Sequence, residues 1–121
     1  MYEITADRER NRLVVTLRGT IGKIESEKIA REMVVVCNQL KRGFDVINDI
    51  SQYEDADKKS EDIFKNMIEF LKIRGVRSVV RVVGGSRGAL MKFADVTKGV
   101  SRYTVRYVPT FADAEKLLES G

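Results

Sequence analysis

Glycines divide this chain into short segments, and this division constrains the fold more than any other feature. Gly19, Gly43, Gly75, Gly84/Gly85 and Gly99 lie where runs of β-branched residues meet helical stripes of apolar residues. Because glycine is favoured in tight turns and just after helices, each of them indicates a boundary. The segments predict two strands, three helix–strand units and a final helix, or ββαβαβαβα, in a single domain over residues 1–121.

The spacing of apolar residues predicts the bounds of these elements. Alternation of apolar and polar residues indicates strands, whereas apolar residues three and four positions apart indicate helices. The predicted strands are residues 2–7, 12–18, 44–50, 76–83 and 101–108. The predicted helices are residues 24–40 with Cys37 on their buried stripe, residues 60–74, a helix containing Leu90, Phe93 and Ala94, and a final helix beginning at Thr110.

These strands predict an α/β fold: a two-layer sandwich with a mixed five-stranded sheet and about four helices, packed mainly on one face. Right-handed crossovers between parallel strands that step in one direction place every helix on the same side. Strands covered on both faces would be almost continuously apolar, but here charged residues alternate with apolar ones. The sequence therefore predicts a bare sheet face that carries six arginines: Arg12, Arg18, Arg77, Arg81, Arg102 and Arg106.

Composition removes several classes of function. The chain has no histidine and one cysteine, Cys37, which excludes His-dependent nucleophilic triads and argues against a zinc or iron–sulfur site. We therefore expect no metal, no cofactor and no catalytic residue, with a carboxylate enzyme using Asp49 or Asp55 as a minor alternative.

No apolar run reaches the roughly 20 residues of a membrane span. The single cysteine and the absence of a signal-peptide pattern predict a cytoplasmic protein.

Charge is unevenly distributed along the chain. Residues 1–60 carry eleven basic and eleven acidic side chains, whereas residues 72–106 carry nine basic residues and only Asp95. This asymmetry favours an anionic partner for the C-terminal half. The candidate anion-binding residues lie in a glycine-rich turn before a predicted helix: Gly84, Gly85, Ser86 and Arg87. The alternative is an ordinary glycine turn with a serine cap.

The predicted arginine face has three interpretations. Nucleic acid binding is the least favoured, because Tyr103 and Tyr107 alternate onto the opposite, core-facing side and leave no aromatic residue to stack bases. Solvated arginines that pair with Asp45 and Asp49 across strands are a second interpretation. A homodimer interface is the third, since arginine is enriched in interfaces.

Two segments resemble a known family. FDVINDISQYEDADKKSED at residues 44–62 and YVPTFADAEKLLES at residues 107–120, in this order of elements, resemble the STAS fold and the SpoIIAA-like branch of small bacterial proteins related to anti-sigma-factor antagonists. The resemblance implies a phosphorylated serine or threonine just after the third strand, which switches partner binding. The family's usual Asp-Ser, small residue, Gly pattern is absent here. Ser60 and Ser51 are the nearest positions, and Ser60 has the alternative role of a helix cap.

The resemblance implies a non-enzymatic regulatory module that binds another protein, such as a regulator or a kinase-like partner. The candidate partner-binding residues lie in the loop of residues 51–60 and on the broadly apolar second helix: Tyr53, Glu54, Asp55, Asp57 and Phe64. The alternative is a small-ligand or lipid carrier, because the SpoIIAA-like grouping is also similar to lipid-transfer proteins. A carrier would recognise an anionic group through the basic C-terminal half, with an apolar pocket beside Arg87.

Overall fold

The chain forms one five-stranded sheet with helices packed against it. The computed structural model describes residues 1–85 and 104–119. The strands are β1 (Tyr2–Asp7), β2 (Arg12–Ile21), β3 (Asp45–Ala56), β4 (Ser78–Val82) and β5 (Thr104–Val108). The helices are α1 (Lys23–Cys37), α2 (Lys58–Arg74) and α3 (Phe111–Glu119). The predicted helix with Leu90, Phe93 and Ala94, and residues 101–103 of the last predicted strand, lie outside the described residues.

The sheet has the predicted mixed topology. Its strands lie in the order β1-β2-β3-β4-β5, which confirms that consecutive strands step across the sheet in one direction. The pair β1 and β2 is antiparallel, and each later strand pairs in parallel with the one before it. Parallel pairing brings the amino ends of β2 to β5 to one edge of the sheet and their carboxyl ends to the other.

The main core lies between one face of the sheet and the helices α1 and α2. Alternate residues of β2 and β3 face this core, as the strand period requires. The buried apolar residues include Leu13, Val15, Leu17, Val46, Ile50, Ile29, Met33, Cys37, Phe64, Met67 and Leu71. Burial raises the pKa of the Cys37 thiol to about 11, so the cysteine stays protonated and packs as a small apolar side chain.

Helix α3 packs on the opposite face, which corrects the expectation that all helices share one side. Ala114 of α3 is buried against Ile47, Val80 and Val82 of the sheet. The handedness rule applies to helices that connect two parallel strands, as α1 and α2 do. Helix α3 follows the last strand and is free of that constraint. The face predicted to be bare is therefore covered over β3 and β4.

The arginines predicted to share one face do not do so. Arg81 alternates with Val80 and Val82, which face α3, so it lies on the α1/α2 side and is 2% exposed. Its Nη1 donates to the Tyr107 hydroxyl at 2.9 Å, and its Cζ lies 5.6 Å from the centre of that ring. Arg77 pairs with Asp45, as the solvated interpretation predicted. Arg102 lies outside the described residues.

The segment predicted as a loop after residue 50 continues as strand. Pairing of β3 with β2 extends to Ala56 opposite Ile21, with register shifts along the way. Helix α2 then runs from Lys58 to Arg74 and is capped by Gly75, whose φ of 88° places it in the left-handed region that glycine tolerates best. A Cβ on Gly75 would lie 2.9 Å from Cζ of Arg42, so the turn also needs glycine for space. Among the described helices, none is long and apolar enough to cross a membrane.

Candidate functional site

Ser51 and Asp49 form a hydrogen-bonded pair in the middle of β3, beside the carboxyl end of β4. The Ser51 hydroxyl donates to Oδ1 of Asp49 at 2.7 Å, and the Ser51 backbone N–H donates to the same oxygen at 3.1 Å. A side chain that accepts from the backbone two residues later forms an Asx turn, which holds the serine in one orientation. Ser51 is partly exposed, so its hydroxyl is both oriented and reachable.

A small polar pocket surrounds this pair. Its volume is about 40 Å³, and its lining includes Thr16 and Arg18 of β2 beside Asp49 and Ser51. A Cβ on Gly84 would lie 3.1 Å from Cβ of Ser51, so glycine lets the turn after β4 approach the serine closely. The structure therefore gathers an oriented hydroxyl, a carboxylate and a guanidinium at one place.

The structure describes only part of the predicted glycine-rich anion site. Gly84 and Gly85 form a turn after β4, whereas Ser86 and Arg87 lie outside the described residues. The Gly84 N–H donates to the Pro109 carbonyl at 3.0 Å, so this donor is already used within the fold. The observed role of Gly84 is thus a tight turn that packs against Ser51.

Ser60 is buried, and its predicted role as the helix cap is wrong. Helix α2 begins two residues earlier than predicted, so Asp57 is the cap and accepts from the Ser60 N–H at 2.8 Å. The Ser60 hydroxyl donates to the carbonyl of Ile21 at 3.2 Å, and the residue is 0% exposed. A protein kinase needs an exposed hydroxyl, so this geometry disfavours Ser60 as a phospho-acceptor.

The predicted partner-binding set divides into buried and exposed members. Tyr53 and Phe64 are 6% and 3% exposed and belong to the core, which corrects their assignment to a binding surface. Burial raises the pKa of the Tyr53 hydroxyl to about 12. Four carboxylates between the end of β3 and the first turns of α2 are exposed and are called the acidic end below: Glu54, Asp55, Asp57 and Asp62.

The cap at Asp57 predicts a pH-dependent contribution to stability. The hydrogen bond from the Ser60 backbone N–H holds the pKa of Asp57 below its usual value of 3.8. A lowered folded-state pKa stabilises the fold above the unfolded pKa, and this stabilisation is lost as pH falls through the folded value. We expect Asp57→Asn, which keeps the cap acceptor, to have a lower urea midpoint than wild type at pH 6. The difference should shrink as the pH falls below 3.8 and vanish once the pH is below the folded-state pKa of Asp57. A difference that stays constant as the pH falls through this range would contradict the prediction.

A central cavity lies between the sheet and the two long helices. Its volume is about 50 Å³, and its lining is apolar apart from Asn48 and Arg81. The Asn48 amide is satisfied, since Nδ2 donates to the Val15 carbonyl at 3.1 Å. For comparison, an apolar cavity of roughly 150 Å³ holds one benzene molecule. The space is therefore too small for a lipid chain, which disfavours the carrier alternative at this position.

The outer surfaces of α1 and α2 form an open groove of about 330 Å³. Val34 of α1 lines it from one side and Ile63 and Phe70 of α2 from the other. Val34 is 45% exposed, and Ile73 near the end of α2 is 71% exposed. The sequence predicted an apolar surface on the second helix, but not the contribution of α1.

Comparison with known proteins establishes the fold. The sequence matches no protein-family model and no curated protein sequence. The structure is similar to an uncharacterised protein of the DUF3478 family with a SpoIIAA-like fold from Shewanella loihica PV-4, with a TM-score of 0.74, 12% identity, and coverage of 97% of this chain and 93% of that one.

Two structures of SpoIIAA are also similar. The unphosphorylated anti-sigma factor antagonist SpoIIAA matches with a TM-score of 0.66 and 12% identity over 100% of both chains. The phosphorylated form of SpoIIAA, a Bacillus cell fate determinant, matches with a TM-score of 0.65 and 12% identity, covering 98% of this chain and 99% of that one. The chain therefore has the SpoIIAA-like fold that its sequence pattern predicted.

Proposed function

We propose that this protein is a non-enzymatic regulatory module that binds another protein, and that phosphorylation of Ser51 switches this binding. The observation that carries the proposal is the oriented, partly exposed Ser51 hydroxyl, 2.7 Å from Asp49. The same fold occurs in SpoIIAA, an anti-sigma factor antagonist solved in unphosphorylated and phosphorylated forms. Ser51 replaces Ser60 as the favoured acceptor because Ser60 is fully buried.

A phosphate on Ser51 would change the local electrostatics strongly. Phosphorylation removes the hydroxyl hydrogen that Ser51 donates to Asp49, and so breaks this hydrogen bond. It also adds about −1.5 to −2 charge at neutral pH. The dianion and the carboxylate repel each other, while Arg18 on the pocket wall attracts the phosphate. Because the turn at Gly84 leaves little space beside the serine, the phosphate would turn away from that turn.

The acidic end predicts the charge of the partner. Glu54 and Asp55 are exposed carboxylates in the last residues of β3, so a protein with a basic contact surface fits them best. An interface of this type is steered by charge and weakens as salt increases. The proposed contact thus lies a few residues from the switch at Ser51.

Charge reversal tests the proposed contact. The partner would be cross-linked to the protein in its own cells, identified and purified, and its affinity measured by calorimetry at two salt concentrations. We expect Glu54→Lys/Asp55→Lys to weaken binding at least tenfold, because attraction becomes repulsion. Glu3→Lys/Glu9→Lys is the matched control, since it makes the same charge change at exposed positions of β1 and the first turn. Equal affinity of the two double variants would refute the proposed contact.

A further inference from the structure

A further pocket lies at the opposite end of the strands, near the amino ends of β4 and β5. Its volume is about 180 Å³. We call it the arginine pocket, and its lining residues are Arg77, Ser78, Val80, Thr104, Arg106, Leu117 and Leu118. It lies between the sheet and α3, so it is separate from both the central cavity and the Ser51 pocket.

Positive charge exceeds negative charge around the arginine pocket. Arg77 donates from Nε and Nη2 to the two carboxylate oxygens of Asp45, at 3.0 and 2.6 Å. Arg106 is exposed and makes no ion pair with any residue that the structure describes. Arg12 lies beside Asp45 in register and is 6% exposed, and its Nε has no hydrogen-bond partner. Asp45 thus has two arginine neighbours, Arg77 and Arg12, and Arg106 adds a further positive charge at the pocket itself.

Two further carboxylates lie near these strand ends, Asp7 and Glu119, and both interact with Arg10. Asp7 lies opposite Arg12 in the register of β1 and β2, and its carboxylate is bonded to Arg10 at 3.1 Å. Because Arg10 adds a positive charge of its own, the two carboxylates leave an excess of one positive charge. The Ser78 hydroxyl likewise donates to Asp45 at 2.7 Å. A negatively charged ligand would neutralise the excess positive charge at this end of the strands.

The remainder of the lining is apolar. Val80 of β4 faces Leu117 and Leu118 of α3 across the pocket. Arginine and hydroxyl groups at one side and aliphatic groups at the other match a ligand with a charged head and a short apolar tail. The volume of about 180 Å³ is more than three times the 50 Å³ of the central cavity, so a short aliphatic chain fits.

We propose that the arginine pocket binds a small oxyanion carrying a short aliphatic group, with Arg106 and Arg77 at the head and Leu117 and Leu118 along the tail. Carboxylates and phosphate monoesters share this chemistry, because both present oxygens that arginine can bind through two donors. The inference does not depend on the proposed switch, since Ser51 lies beside the carboxyl end of β4.

Titration with acids of increasing length tests the site. Acetate, butyrate and hexanoate would be added to the isotopically labelled protein while amide chemical shifts are recorded, with hexyl phosphate in a parallel titration. We expect hexanoate to bind with a dissociation constant on the order of 1 mM, and each methylene to tighten binding about two- to fourfold. Shift changes should concentrate at Thr104, Arg106 and Leu117. The tighter of hexanoate and hexyl phosphate identifies the head group.

The variant Arg106→Gln distinguishes binding in this pocket from the general attraction of anions to a basic surface. It should weaken hexanoate binding about tenfold, because it removes a charge-assisted hydrogen bond. Arg8→Gln removes an exposed arginine in the first turn and should leave the affinity unchanged. Equal binding of acetate and hexanoate, or equal effects of the two variants, would overturn the proposal. Neither result would affect the test of the acidic end.

Discussion

Ser60→Glu should lose about 3–5 kcal/mol of the free energy of unfolding, whereas Ser51→Glu should lose no more than about 1 kcal/mol. The Ser60 side chain is 0% exposed and donates to the Ile21 carbonyl. A glutamate there would bury a charge without a partner and direct its oxygens toward that carbonyl. At Ser51 the new carboxylate can turn into solvent, although it is repelled by Asp49. Urea unfolding of the two variants measures the difference.

Ser60→Ala is the control for this experiment. It removes one buried hydrogen bond without adding charge, so a loss of about 1 kcal/mol is expected. If Ser60→Glu were as stable as Ser51→Glu, the hydroxyl of Ser60 would have access to solvent. Ser60 would then be favoured over Ser51 as the phospho-acceptor.

Asp45→Asn should lose about 2–3 kcal/mol of the free energy of unfolding. The Asp45 side chain is 7% exposed and accepts from Arg77 through both oxygens and from the Ser78 hydroxyl. An asparagine keeps the shape but turns one acceptor into a donor, which faces a guanidinium, and leaves buried Arg12 beside a neutral neighbour. The Arg77 side chain is 56% exposed, so solvent screening keeps the loss in the lower part of the range for buried ion pairs.

Ser78→Ala is the matched control for the Asp45 variant. It removes a single hydrogen bond to the same carboxylate, at 2.7 Å, and should lose about 1 kcal/mol. Denaturant unfolding at neutral pH compares the two variants. Equal losses would mean that the pairing of Arg77 with Asp45 adds nothing to stability.

Much of the fold follows from local pattern. Residues 2–7 alternate strictly, and both the predicted and the observed first strand cover Tyr2–Asp7. Gly75 ends α2 as predicted, because a left-handed cap strongly selects glycine. The order of strands also follows, since sequential parallel strands and short connections leave few alternatives.

The extension of β3 could not be predicted from local pattern. Residues 51–56, SQYEDA, are mostly polar and have the composition of a loop. They form strand because β2 continues past Gly19 to Ile21 and supplies partners for them. The longer strand moves the start of α2 to Lys58 and the cap to Asp57, and thereby buries Ser60.

The sequence contains both candidate serines, but only the fold distinguishes them. The two-residue spacing of Asp49 and Ser51 is a signal for an Asx turn that local reasoning could have used. The approach of Arg18 to Ser51 depends on the pairing of β2 with β3 and has no local signal. The same holds for the arginine pocket, which depends on α3 lying on the second face of the sheet.

Phosphosite mapping combined with native mass spectrometry tests the central claim most directly. The protein would be purified gently from its own cells, and its free and partner-bound fractions would be analysed separately. We predict a phosphate on Ser51, none on Ser60, and different proportions of the phosphorylated chain in the two fractions. A phosphate on Ser60, or equal phosphorylation of Ser51 in free and bound protein, would contradict a switch at Ser51.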